Sequence, residues 1–176
     1  MKYLKKISLF VMIFATMFLV TGCGKEEDKK DENKIDNKTE NKEETNDEKV
    51  DGKLEDLMTK IYEDIPEDER PMMLMNTEVN DENVEYFLGT TDIEYEEALG
   101  SESAVGSIAH SVVLVRAKEG ADINAVKKTI KENAKPRKWV CVEAEEVIVD
   151  SRGDLIILIM SSSSNAKKLQ DGFKSL

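Results

Sequence analysis

The stretch Leu155-Ile156-Ile157-Leu158-Ile159-Met160 is the longest purely apolar strand candidate after the N-terminal segment. A continuous apolar run of this length, rich in isoleucine, is typical of a strand that is buried on both faces. The preceding Ser151-Arg152-Gly153 predicts a turn, and Val147–Val149 before it is rich in strand-forming residues. We therefore expect a hairpin whose second strand lies at the centre of a sheet.

A third extended segment, Ile108–Ala117, carries four consecutive apolar residues, Val112 to Val115, and also predicts a strand covered on both faces. We expect Leu155–Met160 to lie between Ile108–Ala117 and Glu146–Asp150, antiparallel to both, with helices on at least one sheet face. Trp139–Val142 is rich in β-forming residues as well and predicts a further extended stretch.

Helical spacing of apolar residues predicts two helices around these strands. Asp122 is positioned to cap the first, which Pro136 prevents from continuing, and Ser163 or Ser164 is positioned to cap the second. The predicted buried faces are Ile123, Val126 and Ile130 in the first helix, and Ala166, Leu169 and Phe173 in the second. The expected core order is therefore strand, helix, strand, strand, helix.

Two more helices are expected before this core. The first ends before Pro66, and the second is capped by Asn80 and stopped by Gly89. Their apolar residues are Leu54, Leu57, Met58, Ile61 and Ile65, followed by Val84, Phe87 and Leu88. Residues 90–106 show no decisive pattern. Residues 54–176 thus predict one α+β domain with a small mixed, mainly antiparallel sheet and helices packed on it.

The N-terminal residues 1–22 resemble a lipoprotein signal peptide. Three lysines precede the apolar run Ile7–Val20, which is shorter than the roughly 20 residues of a membrane-spanning helix. Val20-Thr21-Gly22-Cys23 resembles a lipobox, in which the cysteine thiol receives lipid before cleavage. We expect acyl chains on Cys23 to anchor the chain, since two acyl chains suffice for stable attachment. The alternative is an uncleaved membrane anchor with an incidental cysteine.

The segment that follows, residues 23–53, predicts a disordered, charged tether. Ile35 and Val50 are its only large apolar residues, so it cannot bury enough surface to offset the entropy of ordering. Of the chain's net charge of −12, residues 54–176 carry −11. An acidic domain repels phosphate backbones and anionic lipid headgroups. We therefore expect no nucleic-acid partner, and attachment to the membrane through the acyl chains alone.

His110 and Cys141 are the two candidates for chemistry. His110 is the only histidine, whereas a zinc or copper site needs three or four ligands, so we expect a structural role. Because lipid is expected on Cys23, Cys141 is the only cysteine that remains, and we expect no internal disulfide. Paired with His110 it can be imagined as an activated thiolate, but free cysteine is usually buried as a small hydrophobe, and we expect that role.

Other patterns have ordinary explanations. The cluster Met72, Met73, Met75 offers thioethers that bind Cu(I), but methionine also fills irregular cores, and we expect packing in a core or groove. Arg152-Gly153-Asp154 matches a tripeptide that integrins bind, although a turn needs its glycine for backbone reasons. The serines at 161–164 lack a nucleophile-elbow pattern, and Glu94–Glu97 lacks EF-hand spacing. No cofactor or metal is predicted.

Three segments together resemble a known family: Ser107–Arg116 (SIAHSVVLVR), Pro136–Val142 (PRKWVCV) and Gly153–Leu158 (GDLIIL). Over about residues 54–176 the chain is similar to the lipoproteins of Gram-positive Firmicutes grouped as domain of unknown function 4358. The resemblance implies a surface lipoprotein with a small α/β domain, and it implies no activity, ligand or catalytic residue.

Two functions remain open from the sequence. One is a non-catalytic envelope module, anchored outside the cytoplasm, that binds a protein, peptide or small ligand. The other is a small enzyme or metal-binding protein that uses His110 or Cys141. A general base must reach a reacting proton in a pocket, so the two functions differ in whether these side chains converge on a cleft.

Overall fold

The computed structural model describes residues 49–176, and the predicted signal peptide, Cys23 and most of the tether lie outside the described residues. Nine elements follow in chain order. They are α1 (Leu54–Ile61), β1 (Leu74–Glu78), α2 (Val84–Leu88), β2 (Tyr95–Ser103), β3 (Ser111–Ala117), α3 (Ile123–Asn133), β4 (Glu146–Arg152), β5 (Leu155–Ser161) and α4 (Ser163–Lys174).

The five strands form one sheet in the order β1-β2-β3-β5-β4, and all neighbouring strands are antiparallel. The predicted place of Leu155–Met160 is confirmed, because β5 pairs with β3 on one side and with β4 on the other. Leu158, for example, lies opposite both Val113 and Val149. The α+β class and the strand, helix, strand, strand, helix core are confirmed with it.

Helices cover both faces of the sheet, because alternate residues of the central strands point to opposite sides. On one face, Leu155, Ile157 and Ile159 join a cluster with apolar residues of α1 and α4. On the other, Ile156, Leu158 and Met160 join apolar residues of α2 and Ile130 of α3. A strand buried on both faces must be apolar at every position, which explains the continuous run that marked β5 in the sequence.

The helix ends differ from the prediction by one to four residues. Asp122 caps α3 as expected, accepting a hydrogen bond from the Ala125 N–H at 3.0 Å. Ser162, not Ser163 or Ser164, caps α4, because Ser162 keeps extended backbone angles and its hydroxyl accepts from Asn165 N–H. Asn83 directly precedes α2, while Asn80 forms a turn by accepting from the Glu82 N–H. Helix α1 ends at Ile61, well before Pro66.

The extended stretch predicted at Trp139–Val142 is wrong. This segment belongs to the irregular connection between α3 and β4. Cys141 adopts a left-handed backbone conformation with φ of 59°, which interrupts an extended chain. Val140 N–H donates to Gly106 O, and Ala144 N–H donates to Pro136 O. The connection is therefore held by isolated backbone hydrogen bonds and not by a strand ladder.

The ordered chain begins before Leu54. Composition assigned Val50 to the tether, but the structure buries its side chain in the cluster beneath α1. The Val50 N–H donates to Asp154 Oδ1 at 3.0 Å, and the Arg116 guanidinium donates to the Val50 and Gly52 carbonyl oxygens at 2.8 Å each. Arg116 also pairs with Asp154 and with Glu97, so one buried guanidinium links β2, β3 and the β4–β5 turn to the entering chain.

Candidate functional site

His110 lies directly before β3, where the fold encloses it completely. Tyr62, the residue directly after α1, brings its hydroxyl to 2.7 Å from His110 Nε2. Ser161, the last residue of β5, brings its Oγ to 2.8 Å from Nδ1. Both ring nitrogens therefore have a partner, and the three side chains join α1, β3 and β5 through one buried hydrogen-bonded chain.

The three hydrogen-bonded side chains consist of a neutral imidazole between two neutral hydroxyls. Burial lowers the pKa of His110 to about 4, because a charged imidazolium is poorly solvated in the core. Burial also raises the pKa of Tyr62, so its phenol stays protonated. Although a serine beside a histidine suggests a nucleophile, Ser161 is as enclosed as His110 and no substrate atom can approach it. A structural role for His110 fits this enclosure.

Cys141 lies elsewhere, and the expected burial of this cysteine is wrong. Its side chain is exposed on the connection between α3 and β4, beside an open depression of about 430 Å³ lined by Arg137, Trp139 and Glu143. Arg137 and Glu143 form an ion pair at 2.6 Å across it. His110 does not line this depression, and the two candidate residues do not converge on a shared cleft.

The methionine cluster is also exposed, so the predicted packing in a core or groove is wrong. Met72 and Met73 precede β1, Met75 lies in it, and more than half of each side chain is solvent-accessible. These side chains are exposed because, within residues 49–176, no element covers this part of the edge strand β1. Leu74 alone among its neighbours is packed against the cluster beneath α1.

The remaining sequence patterns have structural explanations. Gly153 and Asp154 form the tight turn between β4 and β5, where Gly153 has a φ of 54°, and the Asp154 carboxylate is occupied by Arg116 and Val50. Glu94, Glu96 and Glu97 are solvent-exposed, and Glu97 pairs with Arg116. In the part of the chain that the structure describes, no three His, Cys, Asp or Glu side chains converge as metal ligands.

Lys138 is a buried charged residue that the sequence reasoning missed. Its ammonium lies 2.5 Å from Glu102 Oε1 and 4.3 Å from the ring centre of Tyr86, with Phe87 and Trp139 also nearby. Desolvation lowers the pKa of Lys138, whereas Glu102 opposes that change. Burial and Glu102 raise the pKa of Tyr86 to about 12. The local sequence, in which Lys138 lies between Arg137 and Trp139, says nothing about burial.

Comparisons with protein-family models, curated proteins and solved structures found no match for the chain. The resemblance to the lipoprotein family therefore stays a prediction from the three quoted segments. Among residues 49–176, no helix is long and apolar enough to cross a membrane.

Proposed function

We propose that the chain is a surface lipoprotein, held at the membrane by acyl chains on Cys23, whose folded domain is a non-catalytic module that binds a partner in the cell envelope. The observation that supports the second half is the separation of the two reactive side chains. His110 is enclosed, and both of its ring nitrogens are hydrogen-bonded. Cys141 is exposed on the surface connection between α3 and β4.

A general base or a nucleophile needs access to the reacting atom and a partner within hydrogen-bond distance. His110 has partners without access. Cys141 has access but no histidine beside it, and the Glu143 carboxylate that lines its depression is paired with Arg137. Neither residue therefore combines the two requirements. Binding needs only a complementary surface, which the exposed edge of the sheet offers.

The anchoring half of the proposal is supported by the N-terminal sequence. A charged start, a short apolar run and Val20-Thr21-Gly22-Cys23 are the parts of a lipoprotein export signal. The net charge of −11 on residues 54–176 disfavours both nucleic acid and direct contact with anionic lipid. The domain is thus a surface module whose partner is a protein, a peptide or a small ligand outside the cytoplasm.

The test is complementation of a deletion strain with full-length Cys141→Ala and His110→Gln chains at native abundance. Cys141→Ala should melt like the wild type and fully return the deletion strain to the wild-type phenotype, because the thiol is exposed. His110→Gln should restore it in proportion to the folded protein that remains. If a variant has the wild-type melting temperature and abundance but fails to complement, the non-catalytic proposal is overturned in favour of chemistry at that residue.

A further inference from the structure

The outer edge of β1 is open to another strand. Bonds from Val79 N–H to Ala98 O and from Ala104 N–H to Met73 O show which backbone groups point towards β2. Because antiparallel ladders alternate, the N–H and C=O groups of Leu74 and Asn76 point the other way. In the described part of the chain, β1 has a strand neighbour on one side only.

An exposed apolar surface accompanies this edge. The exposed large apolar side chains of residues 49–176 are Met72, Met73, Met75, Tyr86 and Val140, which we call the methionine corner. Shared neighbours link these residues. Met75 lies opposite Glu102, and Lys138 pairs with Glu102 while its ammonium lies over the Tyr86 ring. Met73 O accepts from Ala104 N–H, two residues before Gly106, whose carbonyl accepts from Val140 N–H. Concentrated exposure of this kind marks an interaction site, and methionine adapts to varied partners.

The opposite edge of the sheet is protected. On β4, Lys131 Nζ donates to the Val147 carbonyl, and Gln170 and Lys174 contact Asp150. Charged side chains and covering helices are the usual ways in which a sheet edge is kept from pairing. Strand β1, Leu-Met-Asn-Thr-Glu, has no lysine or proline, and none of the helices in the described part of the chain covers its outer side. The contrast singles out β1 as the edge available for pairing.

The chain around β1 is strongly acidic. Residues 63–85 contain nine carboxylates and a single basic residue, Arg70, whose guanidinium donates to the Ile65 and Tyr62 carbonyl oxygens. All nine carboxylate residues are exposed, five before β1 and four at its end or after it: Glu63, Asp64, Glu67, Asp68, Glu69, Glu78, Asp81, Glu82 and Glu85. Both ends of the open edge are therefore negatively charged, which favours a cationic occupant.

We propose that β1 is a docking strand for an extended cationic polypeptide segment, which adds to the sheet edge and places apolar side chains on the methionine corner. The bond-forming groups are the outward N–H and C=O of Leu74 and Asn76, as in other cases of strand addition. Leu74 and Asn76 also line a depression of about 330 Å³ with Met58 and Tyr62 on the α1 side, which receives alternate side chains of the added strand. This inference rests on the proposed function as a binding module and names its partner class.

A second copy of the chain is less favoured than a cationic segment as the strand that pairs with β1. Pairing two β1 strands across a two-fold axis brings the acidic residues that flank each strand into proximity, and like charges oppose such an approach. Only Glu69 and Glu85 of the nine are seen paired to a lysine, Lys168 and Lys135 respectively, in the described residues. Self-association is therefore an outcome for the test to detect and would overturn the cationic-segment proposal.

The experiment measures binding of synthetic peptides to the full-length processed chain in nonionic detergent, by fluorescence anisotropy. The probe is a short peptide that alternates lysine and valine. One control alternates glutamate and valine, and a second keeps the lysines but carries N-methyl groups that remove backbone donors. The lysine peptide should bind at low salt and weaken at about 1 M salt, where the Debye length is about 3 Å. The two controls should bind at least about tenfold more weakly.

Two variants separate backbone pairing from charge. Asn76→Pro removes an outward N–H without touching the ladder to β2, and Met73→Ser with Met75→Ser removes apolar surface without changing charge. Each should weaken binding of the lysine peptide about tenfold. Lys167→Ser, at an exposed position of α4, should leave binding unchanged. Melting temperatures of the variants confirm that they are folded.

The outcomes distinguish this inference from the proposed function. Equal binding of the lysine peptide to wild type and folded Asn76→Pro would overturn strand addition, as would equal binding of the N-methylated peptide. A concentration-dependent dimer abolished by Asn76→Pro would assign the edge to a second copy instead. Failure of Cys141→Ala to complement would overturn the non-catalytic function while leaving a measured peptide site in place.

Discussion

His110 shows how a polar side chain stays in an apolar core. Its two nitrogens meet Tyr62 and Ser161, so neither ring nitrogen is left without a partner. Removing the imidazole leaves both hydroxyls unpaired, and each such loss costs about 1 to 3 kcal/mol. Cys141 is the opposite case, because its truncation removes exposed atoms only. The two residues that looked alike in sequence therefore differ in their effect on stability.

We predict that His110 makes stability depend on pH. The pKa of His110 is lowered from 6.5 to about 4 in the folded chain, so the unfolded chain takes up the proton first as pH falls. The stabilisation that comes from neutral His110 is fully present above about pH 6.5. It is lost progressively down to about pH 4, which lowers the free energy of unfolding by about 3 kcal/mol. Urea unfolding across this range should show a smaller decrease for His110→Gln than for the wild type.

Carboxylates also titrate near the lower end of this range, but they are common to both proteins and cancel in the difference. Cys141→Ala serves as the control and should follow the wild-type pH dependence. Parallel curves for His110→Gln and the wild type would show that His110 is protonated as readily in the folded chain as in the unfolded one.

Among the helices, α1 and α4 pack with an unusually close backbone approach. Gly172 of α4 is buried against the end of α1, where an added Cβ would lie 2.6 Å from Ile61 O and 3.2 Å from its Cα. A backbone carbonyl cannot move aside as a flexible side chain does. This approach places Tyr62, which follows Ile61, where its hydroxyl reaches His110.

We predict that Gly172→Ala destabilises the domain by about 1 to 2 kcal/mol, although alanine favours a helix by about 1 kcal/mol over glycine. The clash with Ile61 O must push α4 away from α1 and weaken the core between them. The matched control is Asp171→Ala, an exposed neighbour in the same helix turn, which should change the free energy of unfolding little. A Gly172→Ala protein that melts at higher temperature would contradict this packing.

For the molecule as a whole, we predict that Cys23 is the only site of lipid attachment. In the proposed anchoring the Cys23 thiol is the acyl acceptor, so Cys23→Ser should incorporate no labelled fatty acid and keep its signal peptide. Cys141→Ser is the matched control and should be labelled like the wild type, because Cys141 lies in the folded domain and outside any lipobox. Label remaining in Cys23→Ser after delipidation by solvent would refute the anchoring proposal.

The sequence by itself determined the centre of the fold. A strand covered on both faces must be apolar at every position, so the continuous apolar run Leu155–Met160 predicted the central strand. Turn and helix patterns predicted the hairpin and the helices that flank it. The two strands on the β1 side of the sheet carried no such signal. Strand β1 is mostly exposed and β2 is polar at its start, so local periodicity did not reveal either strand.

The tertiary structure alone decided which individual side chains are exposed. Met75 and Cys141 are residue types that usually lie inside. Each is solvent-exposed because no element of the described residues packs over the β1 edge or over the connection before β4. Lys138 is a type that usually lies outside, but Glu102 and three aromatic rings enclose it. Burial at such positions depends on neighbours distant in sequence, and local patterns contain no record of them.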